Sequence, residues 1–510
     1  MKNMDMESKK KLRVMIQGTA SDVGKSVISV AICRMLTRDG YDVNPFKSQN
    51  MSLNSYITPE GLEMGRAQVM QAEASYKEPN VAMNPVLLKP TSDRKSQVIV
   101  KGKVHGNMDA VEYFSWKPSL KQEISDIYHE LEEKSDVVVI EGAGSPAEIN
   151  LVANDFVNMG MADIADAPVI LVADIDRGGV FASIAGTLML LPEEHKKRVK
   201  GVIINKFRGS REILQPGIDQ IEEITNVPVL GVIPYFRLNL EDEDGMSKWL
   251  TERTDIGDID IAVIRLPYMS NHTDFNSLLM HEGVSIRFVK IGDPLGKPDL
   301  IIIPGSKSTI ADMKALKGSS TYKSIKSCFE KGSRIIGICG GYQILGKIII
   351  DKDHTETNEE FTEALGLLDV NTLFAKEKNT TLTEGVDELF GHKVKGYEIH
   401  MGITTANNDA LLPFIKIGER TGGADLAYDG SISEDGKVIG TYMHGIFDNS
   451  KFTNDYLNII RKEKDLDIIE MGNAPEDFWD FKDKQYNLLA DIVEENIDKA
   501  KFYQIIGIQY

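Results

Sequence analysis

Short runs of valine and isoleucine punctuate this chain, each closed by a loop and followed by apolar residues at helical spacing. One set lies at 12–17, 137–140, 169–173, 202–205 and 229–233; a second lies at 261–265, 300–303, 334–338 and 438–441. Runs that are apolar at every position, rather than every other one, suit strands buried on both faces of a parallel sheet. Their alternation with helices predicts an α/β protein of two doubly wound, mostly parallel-sheet domains. Between the first two strands lies a long polar insert with little periodicity. Near the C-terminus, Tyr486, Leu489, Ile492, Val493 and Ile497 form an i, i+3, i+4 stripe, which predicts a helical tail packed on the body. The expected division is 1–240, an acidic linker at 241–258, a second domain at 259–450 and a helical extension at 451–510.

Composition narrows the partners. With 58 Lys and Arg against 77 Asp and Glu, the net charge is −19. Such a chain is a poor ligand for nucleic acid or for an anionic membrane, both of which attract basic surfaces. Residues 241–260 carry eight acids against two bases, as expected of a solvated linker. Three cysteines at unrelated spacings form neither a disulfide framework nor a zinc pattern. A reducing cytoplasm is the expected compartment. The N-terminal residues lack an apolar signal core, and no stretch approaches the roughly 20 apolar residues that cross a bilayer.

The first strand runs into Gly18-Thr-Ala-Ser-Asp-Val-Gly24-Lys25-Ser26, and a helical pattern follows with Gly40 as its stop. A strand, a glycine loop ending in Gly-Lys-Ser and a helix make a phosphate-binding loop. Its backbone N–H groups and the helix N-terminus attract phosphate. Five residues separate Gly18 from Gly24, one more than usual. The expected ATP-binding set is Thr19, Asp22, Val23, Gly24, Lys25 and Ser26, with Lys25 on the β- and γ-phosphates. Glu141, at the end of the strand at 137–140, is expected to join Ser26 in holding Mg²⁺. Asn205, at another strand end, is a candidate for reading the adenine edge or for capping the strand.

In the second half, the strand at 334–338 ends in Cys339-Gly340-Gly341 before a helical pattern. This is the form of a nucleophile elbow with cysteine in place of serine. The helix N-terminus favours the thiolate. Backbone N–H groups at Gly305, after the strand at 300–303, and at Gly340 are candidates for an oxyanion hole. His444, just beyond the strand at 438–441, is the candidate base. Cys33 and Cys328 read as inert core thiols.

A resemblance now covers nearly the whole chain. The segments QGTASDVGKS (17–26), PFKSQNMSLNS (45–55), EMGRAQ (63–68), MNPVLLKPTSD (83–93), EGAGSPAEINL (141–151), ADIDRGGVFAS (173–183), INKFRG (204–209), PGSKST (304–309), GYEIHMG (396–402) and MHGIFDN (443–449) carry it. The chain resembles the cobyric and cobyrinic acid synthases, and its finer match is to the cobyric branch. In that pattern, a phosphate-loop domain similar to dethiobiotin synthetase is joined to a class I glutamine amidotransferase domain. The resemblance implies ATP- and glutamine-dependent amidation of the b, d, e and g carboxylates of adenosylcobyrinic acid a,c-diamide, giving adenosylcobyric acid in cobalamin biosynthesis. ATP and Mg²⁺ are the implied cofactors, and a corrinoid and L-glutamine the implied small-molecule partners. One departure from the general amidotransferase pattern matters: glutamate usually stands two residues after the histidine, and here that position is Ile446. Either Cys339 and His444 work as a dyad or another acid orients the imidazole, with Glu398 a candidate.

The corrinoid carries several carboxylates, yet the chain is acidic. Residues 41–110 hold eight Lys and Arg against seven acids, a local net of +1. Lys47, Arg66, Lys89 and Arg94 are therefore candidate carboxylate or acyl-phosphate contacts, with Lys47 and Lys89 favoured by their motifs. Asp155 and Asp22 are candidates for positioning Mg²⁺ or substrate. The rival readings are amidation of the a and c carboxylates, a phosphate-loop switch ATPase without transferase chemistry, and a second domain that only binds. Cys339 and His444 argue against the last two.

Overall fold

A computed structural model describes residues 11–91, 95–151, 154–236, 257–357, 359–408, 411–421 and 427–509. Most of the acidic linker and Arg94 lie outside the described residues.

The apolar runs form two parallel sheets. The first has the order Val229–Pro234, Val199–Phe207, Val169–Asp174, Leu12–Gly18, Val137–Glu141, Val43–Phe46, with every pairing parallel. Its central strands are buried on both faces, so neither face shows alternation. The second has the order Val284–Lys290, Ile259–Arg265, Leu300–Ile303, Arg334–Ile338, Val438–Thr441, all parallel, and closes with the antiparallel strand Ser431–Ile432. The edge strands Val43–Phe46 and Val284–Lys290 escape the sequence pattern, because they are short or mixed with polar residues.

The polar insert is folded. It supplies a four-stranded sheet of Gln49–Met51, Val86–Pro90, Lys95–Val100 and Lys103–Asp109, and a nearly wholly buried helix, Arg66–Ala74. The second domain carries a further sheet, dominated by the long antiparallel pair Val370–Asp387 and Lys393–Ala406. The first alternates in burial near its two ends, whereas the second buries Tyr397–His400 in succession, and charged and threonine-rich positions mask both.

The C-terminal tail, expected as one extension from 451, is divided between the two bodies. The helix Ser450–Glu463 buries Phe452, Tyr456, Leu457 and Ile460 in the core of the second domain. The helix Phe478–Asn496 returns to the first domain and packs Tyr486, Leu489 and Val493 beside Ile28, Ile32 and Leu36 of the helix Lys25–Arg38. Lys482 and Tyr486 also bond Glu73 of the buried helix, and Asp483 pairs with Arg34, whose side chain is fully buried. Among the described residues, no helix is long and apolar enough to cross a membrane.

Candidate functional site

Both candidate centres sit at the C-terminal ends of parallel strands, where helix N-termini converge. In the first domain Gly24 adopts a left-handed φ of 96° and caps the helix Lys25–Arg38. A side chain there would collide with Asn205, whose Nδ2 would lie 2.3 Å from an added Cβ. Asn205 donates from Nδ2 to the Val23 carbonyl at 2.9 Å, and its Oδ1 accepts from Lys206 N–H at 2.9 Å. These contacts match the capping alternative: the amide holds the loop to the strand end. Thr19 N–H is taken by the Val172 carbonyl, which ties the loop to the sheet. Asp22 pairs with Arg177 at 3.2 Å on the loop's outer side.

Glu141 and Ser26 meet as expected, with Ser26 Oγ donating to Glu141 Oε1 at 2.8 Å. Lys47 Nζ lies 2.8 Å from the same oxygen, and Gln71 Nε2 donates to Oε2 at 2.5 Å. Lys47 therefore belongs to the phosphate corner, where it compensates a fully buried carboxylate; an unpaired buried charge would cost several kcal/mol. Lys25 is bent back onto the Ala20 carbonyl at 3.1 Å, within the loop it would serve. Ser26 and Glu141 offer the hard oxygens that Mg²⁺ takes, so these residues fit the ion. Asp155 does not join them. Its Oδ1 accepts from the N–H groups of Val157 and Asn158, and its Oδ2 from Gly160 N–H at 2.8 Å. Backbone donors before and within the helix Met159–Ile164 engage both oxygens, and Asp155 stands apart from the Ser26–Glu141 pair.

In the second domain Cys339 has φ 53° and ψ −109°, the strained turn of a nucleophile elbow, at the N-terminus of the helix Gly340–Leu345. Flanking glycines are obligatory: a Cβ on Gly341 would lie 1.9 Å from the Ile303 carbonyl, and one on Gly340 would lie 2.8 Å from Ser306 N. Gly340 and Ser306 line the cavity at Cys339, whereas Gly305 packs beneath the imidazole, with an added Cβ 3.1 Å from His444 Cε1. The oxyanion donors are thus better placed at Gly340 and Ser306 than at Gly305.

The acid behind His444 is Asp274, whose Oδ2 lies 2.6 Å from Nδ1. It sits on the 3₁₀ segment His272–Met280, after the first strand of the second sheet. Burial alone would lower the His444 pKa, but Asp274 and Cys339 outweigh it and push it up to about 10. Tyr397 stacks on the ring at 5.0 Å between centroids, and its backbone pairs with that of His444. Ile446, in the usual glutamate position, is buried in the apolar core. Glu398 is corrected: it points to the other face of its strand from Tyr397 and binds Arg420, Thr383 and His400. Asp274 escaped the sequence reading because it is 170 residues from His444. The available signal was weaker than that at Glu141, which ends its strand: Asp274 lies on the loop side of a buried parallel strand but well beyond its end at Arg265.

An isosteric change tests this assignment. Gly445 N–H donates to Asp274 Oδ1. In Asp274→Asn that contact holds the amide oxygen, leaving NH₂ facing Nδ1. The imidazole would then carry its proton on Nε2 and could not accept one from the thiol. The expected loss in glutaminase kcat is about 10²–10⁴-fold, measured by glutamate release.

A cavity of about 470 Å³ opens at Cys339 and extends to Lys89 and Gln97 of the insert. Lys307, Lys378 and Lys89 line it. Burial, together with the charges of Lys378 and Lys89, pushes the Lys307 ammonium down to about 7. Glu63 accepts from Lys89 at 2.8 Å and from Lys378 at 2.5 Å, tying the two domains. Burial works to raise its pKa, but the two lysines hold it well below the usual carboxylate range. Lys89, expected to touch substrate, thus lies in the shared cavity. Arg66 stacks over Tyr56, 5.0 Å from the ring centroid.

Comparison with known proteins follows the same division. Residues 12–240 match an AAA domain, and residues 260–452 match a CobB/CobQ-like glutamine amidotransferase domain. The chain is 56% identical over 495 residues to the cobyric acid synthase of Clostridium novyi (strain NT), covering 97% of each. It is 52% identical over 504 residues to that of Thermoanaerobacter sp. (strain X514), covering 97% of this chain and 99% of the relative. It is 53% identical over 498 residues to that of Streptococcus sanguinis (strain SK36), covering 97% and 98%. Near-complete coverage at this identity, together with both domain matches, shows that the chain belongs to the cobyric acid synthase family.

Proposed function

We propose that this enzyme amidates the b, d, e and g carboxylates of adenosylcobyrinic acid a,c-diamide, consuming ATP and taking nitrogen from glutamine. The observation that carries this reading is the Cys339–His444–Asp274 constellation opening into a cavity that the phosphate-loop domain also lines. A carboxylate resists ammonia because its carbon is electron-rich and oxide leaves poorly. Transfer of the γ-phosphoryl group of ATP to a carboxylate oxygen gives an acyl phosphate and ADP. Attack by ammonia then forms the amide and releases inorganic phosphate. Lys25 and the loop amides balance the phosphate charge and hold the groups in line. Mg²⁺ held by Ser26 and Glu141 would supply further charge compensation to the phosphates.

At the second centre, the Cys339 thiol gives its proton to His444 Nε2 and its sulfur attacks the glutamine amide carbon. Gly340 and Ser306 are positioned to steady the oxyanion. His444 returns the proton to the leaving nitrogen, and ammonia departs from a glutamyl thioester. Water then hydrolyses the thioester to glutamate. Ammonia set free in neutral water would mostly protonate and lose its nucleophilicity. The shared cavity supports a reading in which nitrogen passes between the domains without entering bulk water.

The test supplies corrinoid acids with ATP and Mg²⁺ and either glutamine or an ammonium salt, and follows amide formation by mass. The a,c-diamide should gain four amide nitrogens with either donor. Amidation confined to the a and c positions of cobyrinic acid would favour the sister activity. Nucleotide turnover with no corrinoid amidation from either donor would overturn the reading.

A further inference from the structure

Asp274 and Cys339 favour the charged form of His444. Asn271 opposes it. Its amide orientation is fixed from the other domain, because Ser55 N–H can only donate, and it does so to Asn271 Oδ1 at 3.0 Å. The NH₂ end therefore faces His444 Nε2, at 3.4 Å. Asp274 holds the ring proton on Nδ1, so Nε2 offers a lone pair when the ring is neutral and a proton when it is charged. Asn271 is satisfied only by the lone pair, and it competes with the Cys339 thiol for that nitrogen. Asn271 is buried and left-handed, with φ 52°, a conformation that asparagine accepts more readily than most residues.

The grip on Asn271 belongs to the strand Ser55–Ile57 of the phosphate-loop domain. Ser55 Oγ accepts from Lys89 Nζ at 2.9 Å, and Lys89 also bonds Glu63. The amide that faces the glutaminase histidine is thus tied to Lys89, the candidate carboxylate contact of the sequence reading. We infer that Asn271 is a positioning residue that occupies Nε2 and disfavours the charged form of His444 while Ser55 holds it, and that substrate drawn to Lys89 moves Ser55 and frees Nε2 to take the thiol proton. This inference rests on the two-centre reading and on the sequence reading of Lys89 as a candidate carboxylate contact. It makes glutamine hydrolysis depend on a loaded synthetase site.

The pH dependence of Cys339 alkylation by iodoacetamide, followed by peptide mass, reads the thiolate. The other groups that act on this pair are Asp274, Lys378 and Tyr442, with the Tyr397 ring stacked on the imidazole. Burial pushes the Cys33 thiol up to about 12 and also raises that of Cys328, so both should react slowly. In the wild type, adding ATP, Mg²⁺ and a corrinoid acid should lower the Cys339 midpoint by about one pH unit. Asn271→Asp keeps the size, the tolerance of left-handed backbone and the acceptor for Ser55, but turns an oxygen toward Nε2. Its midpoint should be low without substrates and should not fall further when they are added. A wild-type midpoint that loading leaves unmoved would overturn the inference without recourse to any variant, as would an Asn271→Asp midpoint at or above that of the wild type. Ammonium-supported amidation by the wild type separates the failures: if it is absent, the two-centre reading has failed; if it is present beside an unmoved midpoint, only the role of Asn271 has failed.

Discussion

Cys339→Ala should abolish glutamine-dependent amide formation while leaving ammonium-dependent amide formation intact. Removing a nucleophile that acts as a unit with its base typically costs ~10⁴-fold or more in kcat. No neighbouring thiol can substitute, since Cys33 and Cys328 lie in apolar clusters away from the cavity. The phosphate loop, Lys47 and Glu141 belong to the other domain and do not touch the elbow, so acyl phosphate formation should persist. The check is amide formation by mass with each nitrogen donor, beside glutamate release. Normal use of glutamine by the variant would show that Cys339 is not the nucleophile.

Lys25→Ala should lose amidation with both donors. The ammonium group offsets charge on the transferring phosphoryl group, and removing one such electrostatic partner costs on the order of 10²–10³-fold. The loop around it is held independently, by Asn205 on Val23 and by Thr19 on the sheet, so the frame should survive the substitution. Phosphate release from ATP, measured with a corrinoid acid and ammonium, should fall with amidation. Cys339 should remain alkylatable. Loss of the glutamine route alone would contradict the placement of Lys25 at the synthetase centre.

What could be read beforehand follows from how each part is stabilised. Strands buried on both faces must be apolar throughout, so the central strands of both sheets were visible, and three in the second sheet fell on the expected residues, Leu300–Ile303, Arg334–Ile338 and Val438–Thr441. The two loops that carry Lys25 and Cys339 were legible because each must follow a strand, turn sharply on glycine and open a helix. The helix Arg66–Ala74 was not. It buries Gln68, Gln71 and Arg66 to serve Glu141 and the domain contact, so the periodicity that marks most helices is missing. The long pair Val370–Asp387 and Lys393–Ala406 was hidden for a related reason, since its interior positions hold Thr381, Thr383 and Glu398.

Local chemistry thus determined the two sheets, the phosphate loop and the cysteine elbow, because each depends on residues close in the chain. Only the folded molecule decided that Asp274, not Glu398, backs His444, that Asn205 holds the loop, that Asp155 serves the backbone, and that the tail closes over both bodies. Those outcomes depend on side chains brought together from distant segments, and hydrogen-bond partners at such separations leave no periodic trace in the sequence. The link from Lys89 through Ser55 and Asn271 to His444 is of the same kind: it exists only because the folded insert of the first domain meets the glutaminase centre at a common cavity.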